Sequence, residues 1–125
     1  MPNENQNGKK YDLEERTAIF GENVIEFCKK IPRNPITLPL ITQLIKSSTS
    51  IGANYCEADC AETKKDFVHK IGICKKESKE TRHWTRMIAK ASPDLKNDCH
   101  LYWQEANELN LIFSSIINKS NINKI

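Results

Sequence analysis

From Asp12 onward, apolar residues return every three or four positions. Leu13, Thr17, Phe20, Val24, Phe27 with Cys28, and Ile31 fall on one side of a helix, and polar residues fill the other. Asp12 with Glu15 supplies a capping start, and Pro32 with Pro35 a stop. A second helix is predicted from Thr37 as N-cap, with Pro39 tolerated in the first turn, through Ile41, Leu44, Ile45, Ser48, Ile51, Gly52 and Tyr55. No Gly or Pro marks its end, but Thr63 with Asp66 forms a second cap and places a break at residues 59–63. The third helix then spans Lys64 to Ala91, with Phe67, Ile71, Cys74, Ser78, Thr81 (or Trp84) and Ile88 inward. Ser92-Pro93-Asp94 reads as N-cap, first-turn proline and first-turn acid of a fourth helix. Its inward set is Leu95, Cys99, Tyr102, Ala106, Leu109, Ile112 with Phe113, and Ile116, and order is expected to fade through residues 114–121.

Four helices joined by short connections predict an all-α, antiparallel up-and-down four-helix bundle. Its 125 residues suit one domain. The expected division is a polar, aperiodic tail at 1–10, the bundle at 11–119 and a second tail at 120–125. No apolar run approaches the ~20 residues that span a bilayer, and the first residues lack the apolar segment of a signal peptide. The expectation is therefore a cytoplasmic protein with no membrane partner. Five cysteines without a CxxC pair argue against a disulfide framework or a zinc site.

The second helix is rich in poor helix formers. Ser47, Ser48, Thr49, Ser50 and Gly52 follow one another closely, and each costs up to about 1 kcal/mol against Ala in a helix interior. Ser48, Gly52, Cys56 and Cys60 are spaced by four and form one row of small side chains, which lets another helix backbone approach closely. That neighbour is either another helix of the same bundle or a second subunit. Ile36, Leu38, Leu40 and Ile45, apolar residues left over near the helix ends, offer a surface for the second case.

Charge changes the picture in one place. Between Lys64 and Lys90, nine basic residues against three acidic ones give +6 within a chain of net +3. Lys75, Lys79, Arg82, Arg86 and Lys90 follow steps of four, three, four and four, a basic stripe of the kind that binds phosphates. Its alternative is a solvated face, partly neutralised by Glu14, Glu15, Glu22 and Glu26 or by Glu105 and Glu108. Trp84, within the stripe, is read as core rather than as a base-stacking side chain.

Glu80-Thr-Arg-His83 has the Glu-x-x-His spacing of di-iron bundles, but a second copy is missing: Asp66 and Asn97 stand three residues before His69 and His100. Asn54, Glu57, Glu77 and Glu80 lie near inward faces and need partners such as Lys76, Arg82 or Arg16. No nucleophile and base pair or Gly-rich phosphate loop is present. The reading is a binding protein without cofactor, metal or small-molecule substrate.

Asn54-Tyr-Cys-Glu57, Thr63-x-x-Asp-Phe67 and Lys76-Glu-Ser-Lys-Glu-Thr-Arg-His-Trp84, behind Gln43-Leu44 and Ser47 to Ile51, resemble the bundle proteins encoded in intervening sequences of 23S ribosomal RNA genes. The resemblance runs from Leu13 to Ile112. It implies an up-and-down four-helix bundle, a ring-like homopentamer and no enzymatic activity. A distant branch of that family serves diversity-generating retroelements, which implies RNA or another nucleic acid as partner, or a role as protein scaffold or accessory subunit of a reverse transcriptase or ribosomal component. Where many relatives carry a Glu-Gly-x-Gly-Arg turn, this chain has Glu57-Ala-Asp-Cys-Ala61, which implies a less sharply bent junction.

Overall fold

A computed structural model describes residues 12–124; the stretch assigned to the first tail lies outside the described residues. Four helices are present: α1 (Leu13–Cys28), α2 (Thr37–Asp59), α3 (Lys64–Ala91) and α4 (Lys96–Lys124). A single 3-10 turn, Pro93–Leu95, leads into α4.

Cross-helix partners fix the topology. Gly21 and Gly52 sit against Thr49 and Thr17, so α1 and α2 run in opposite directions. Ser47 pairs with Thr81, Ile51 with Cys74 and Glu57 with Lys70, so α3 reverses α2. Arg82 reaches Asn107 and the Lys75 carbonyl accepts from Asn110, so α4 reverses α3. Arg16 to Glu105 and Phe27 against Tyr102, ring centroids 4.9 Å apart, close α4 onto α1. The architecture is an antiparallel up-and-down four-helix bundle.

Most of its core follows the predicted periodicity, with Ala58 in addition, while Ile45, Tyr55, Phe67, Leu95, Tyr102, Ile112 and Ile116 are only partly buried. Leu13, Phe20, Val24, Phe27, Cys28 and Ile31 of the first segment are all buried, as are Ile41, Leu44, Ile51, Ile71, Cys74, Ile88, Cys99, Ala106, Leu109 and Phe113. Each large aliphatic or aromatic side chain so buried contributes roughly 1.5–3 kcal/mol. Burial pushes the Cys28 and Cys99 thiols up to about 11 and the Cys74 thiol to about 12. These three behave as small apolar groups.

Helix starts divide into two kinds. Asp12 accepts from the Glu15 amide at 3.3 Å and Thr63 from the Asp66 amide at 3.0 Å, as their spacing predicts. Thr37, by contrast, is the first residue of α2 rather than its cap. Asn34 Oδ1 accepts from the amides of Ile36 and Thr37 at 2.9 Å, and the Thr37 hydroxyl turns back to the Pro32 carbonyl at 2.6 Å. An Asn side chain is short enough to cap its own turn, and Pro35 is compatible with it. Ser92 likewise makes no side-chain cap, because Pro93 opens a 3-10 turn before α4.

At the far end α4 continues to Lys124, past residue 119 where the bundle was expected to give way to a tail. The α2–α3 connection, residues 60–63, turns without glycine. Cys60 adopts φ −100° and ψ 5°, and Thr63 is extended, angles open to any residue, so the implied shallower junction does not prevent α3 from lying along α2.

Candidate nucleic-acid interface

The α3 helix turns its apolar residues toward α2 and α4 and leaves its basic ones outside. Lys75, Lys79, Arg86 and Lys90 are exposed. Arg82 is half-buried, for a specific reason. Its guanidinium donates from Nη1 to Asn107 Oδ1 at 2.6 Å, and Cζ lies 5.6 Å from the centre of the Trp103 ring. The stripe therefore runs beside α4 and does not stand alone.

Beside it opens a cleft of about 470 Å³ between the end of α3 and the start of α4. Thr85, Arg86 and Ala89 form one wall; Lys96, Asn97, Cys99, His100 and Trp103 form the other. The His100 and Trp103 rings are nearly parallel, 11° apart, with centroids 6.3 Å apart. Trp84, in contrast, packs against the core with His83 edge-on at 4.7 Å, which agrees with its reading as a core residue.

No carboxylate among the described residues forms an ion pair with any stripe residue. Three of the six acids that sequence offered as neutralisers are engaged elsewhere: Glu26 by Lys29, and Glu105 and Glu108, which both accept from Arg16, at 2.7 to 2.9 Å, on the α1 side of the bundle. That arrangement raises the Arg16 pKa further, the hydrogen bonding to Glu105 being the main cause. Glu57 is engaged by Lys70.

The remaining inward polar residues resolve locally. Asn54 donates to the Ser50 carbonyl at 2.8 Å. Glu77, its side chain 16% exposed, has Lys76 at 3.9 Å; burial, and then Glu80, push its carboxyl above the usual range. Glu80 and His83 are exposed, and the described residues contain no group of three or more His, Cys, Asp or Glu side chains placed to hold a metal.

The row of small residues divides between burial and surface. Ser48 is buried, and a Cβ placed on Gly52 would stand 3.3 Å from Thr17 Oγ1, so these two serve the α1–α2 packing within one chain. Cys56 and Cys60 are exposed. The adjacent serine, Ser47, faces the other way: it is buried against α3, its Oγ 2.9 Å from the Thr81 hydroxyl. Small residues thus flank α2 on both sides because two helices press on it. Ile36 and Leu38 remain open to solvent, 69% and 48% exposed.

Sequence reasoning missed the α4 half of the interface. Lys96, His100, Trp103 and Asn107 recur at steps of four, three and four, the periodicity that revealed the α3 stripe. The signal was present but mixed in sign and chemistry, and charge counting alone passes over it.

Comparison with known proteins completes this description. Residues 9–115 match the model of the 23S rRNA-intervening sequence protein family. The chain belongs to this family. Among solved structures, the intervening-sequence fold seen here is similar to a crystal structure, at 1.70 Å, of a protein of unknown function from the S23 ribosomal protein family of Bacteroides thetaiotaomicron. The two share 26% identity with a TM-score of 0.76, over 83% of this chain and 96% of the other. No curated protein matches the chain. None of the described helices is long and apolar enough to cross a membrane.

Proposed function

We propose that this intervening-sequence protein is a non-enzymatic, self-associating bundle that binds RNA in the cytoplasm through the basic side of α3. Lys75, Lys79, Arg82, Arg86 and Lys90 are the phosphate-binding positions. The observation that carries this reading is the lack of ion-pair partners along the stripe among the described residues, while Glu105 and Glu108 are held by Arg16 and Glu26 by Lys29. Unpaired cations in a row keep their full field for a polyanion. Assembly into a homopentamer, which the family resemblance implies, would repeat that field around a ring, and exposed Ile36 and Leu38 supply apolar surface for subunit contact.

Fluorescence anisotropy of a labelled structured RNA at several salt concentrations tests it. Binding that persists near physiological salt, with a log–log slope of several units, is the expected result. Lys79→Gln, Arg82→Gln and Arg86→Gln together should lower the slope by about two to three units, given roughly 0.7 to 0.9 per phosphate contact. Unchanged binding in that variant would overturn the assignment.

The same exposed apolar residues favour a second reading, a protein-interaction scaffold or accessory subunit whose basic face docks a partner. A protein partner that survives nuclease treatment in a pull-down would favour it over direct RNA binding.

A further inference from the structure

The α3–α4 cleft contains more than a phosphate site requires. Trp103 and His100 stand nearly parallel on one wall, Arg86 faces them from α3, and Lys96 and Asn97 complete the lining. Behind Trp103, Arg82 lies against the ring and is itself anchored by Asn107. A flat, half-exposed aromatic held in place by a fixed cation and bordered by further cations is the composition of a nucleobase platform. The cleft volume, about 470 Å³, falls in the range of pockets that enclose a small ligand, roughly 300–1,000 Å³.

We infer that this cleft takes an unpaired base of single-stranded RNA, stacked on the Trp103–His100 pair, with the flanking phosphates on Arg86 and Lys96. The inference rests on the RNA-binding reading above and specifies its ligand. In a duplex both faces of a base are already stacked on its neighbours, so an aromatic platform gains nothing from paired RNA, whereas binding through phosphates alone requires no unpaired base. Asn97 and His100 carry donors and acceptors that can meet a base edge. Arg82 acts here as a positioning residue. One of its five N–H donors is committed to Asn107, so it fixes the Trp103 ring and still offers the others, alongside Lys75, Lys79, Arg86 and Lys90, to phosphates.

The test leaves the protein intact and changes the ligand. Binding of a labelled oligoribonucleotide of about 12 nucleotides is compared with that of the same strand carrying abasic riboses at its centre, and with a duplex of equal length. The phosphates are conserved in the abasic strand, so a stacking site predicts affinity lower by about ten-fold or more, since stacking on an aromatic contributes substantially per base. Trp103→Leu should bind the intact strand as weakly as the native protein binds the abasic one, and Trp103→Phe should recover most of the difference. Circular dichroism of both variants establishes that the bundle is folded. Equal binding of intact and abasic strands would overturn the stacking site and leave phosphate binding standing. A base-dependent affinity indifferent to Trp103→Leu would also overturn it, by placing the base elsewhere. No binding of any strand at physiological salt would overturn the RNA-binding reading itself.

Discussion

Along the α1–α2 seam, Gly21 and Gly52 let two backbones meet with only Thr17, Ser48 and Thr49 between them. Along the α3–α4 seam, Arg82 donates to Asn107, Asn110 donates to the Lys75 carbonyl, and the Arg82 guanidinium lies over the Trp103 ring. Both seams join antiparallel neighbours, and both are closed by polar as well as apolar groups. The difference lies in what is left over. In the first, hydroxyls turn back on their own helix, as Thr17 does to the Leu13 carbonyl at 2.7 Å, and the groove outside is lined by Glu14, Glu15, Glu22 and Cys56, without a cation or an aromatic ring. In the second, large side chains border a cleft with cations and aromatic rings. One groove is acidic and the other basic and aromatic, so only the second suits a polyanion.

The largest effect should come from forcing bulk into the tight seam. Gly52→Leu drives a side chain into Thr17, whose atoms already stand 3.3 to 3.5 Å from where a Cβ would be, and should destabilise the bundle by about 2–3 kcal/mol in urea unfolding. An unchanged midpoint would mean the seam is looser than its geometry indicates. Arg82→Ala cuts one polar bridge of the α3–α4 seam and should cost less, about 1–2 kcal/mol. A double-mutant cycle with Asn107→Ala assigns the share due to the 2.6 Å hydrogen bond. The smallest change should have the opposite sign. Gly72, in α3, would bring a Cβ within 4 Å of nothing beyond its own helix, so Gly72→Ala should stabilise by about 0.5–1 kcal/mol through helix propensity alone. A loss of stability there would show that not all helical glycines of this bundle divide into packed and idle ones.

Much of the bundle was legible because its signals are periodic and local. All six apolar positions expected to face inward from the first segment, and Thr17 as a seventh, polar one, are buried, and the caps at Asp12 and Thr63 need only residues three apart. Thr37 misled because the competing cap, Asn34, acts across a proline-bounded turn whose hydrogen bonds are not visible as a pattern. The functional side was half legible. Five cations at helical spacing identify the stripe, but that Arg82 is tied to Asn107, and that Trp103 rather than Trp84 borders it, depends on the rotation of α4 against α3. One-dimensional periodicity cannot supply that rotation. The small-residue row was likewise identified as a close-approach surface, while its division between a packed half and an exposed half follows from where α1 ends beside it.

The order of the helices also governs how quickly they assemble. Every main seam joins segments adjacent along the chain, so each hairpin closes over a short loop and loses little chain entropy in doing so. Such low contact order belongs to proteins that fold in microseconds to milliseconds. Only the junction of α1 with α4, sealed by Arg16 on Glu105 and Glu108 and by Phe27 on Tyr102, must wait for the chain's two halves to meet. It is therefore the last of these contacts to become possible during synthesis, once Tyr102, Glu105 and Glu108 have left the ribosome.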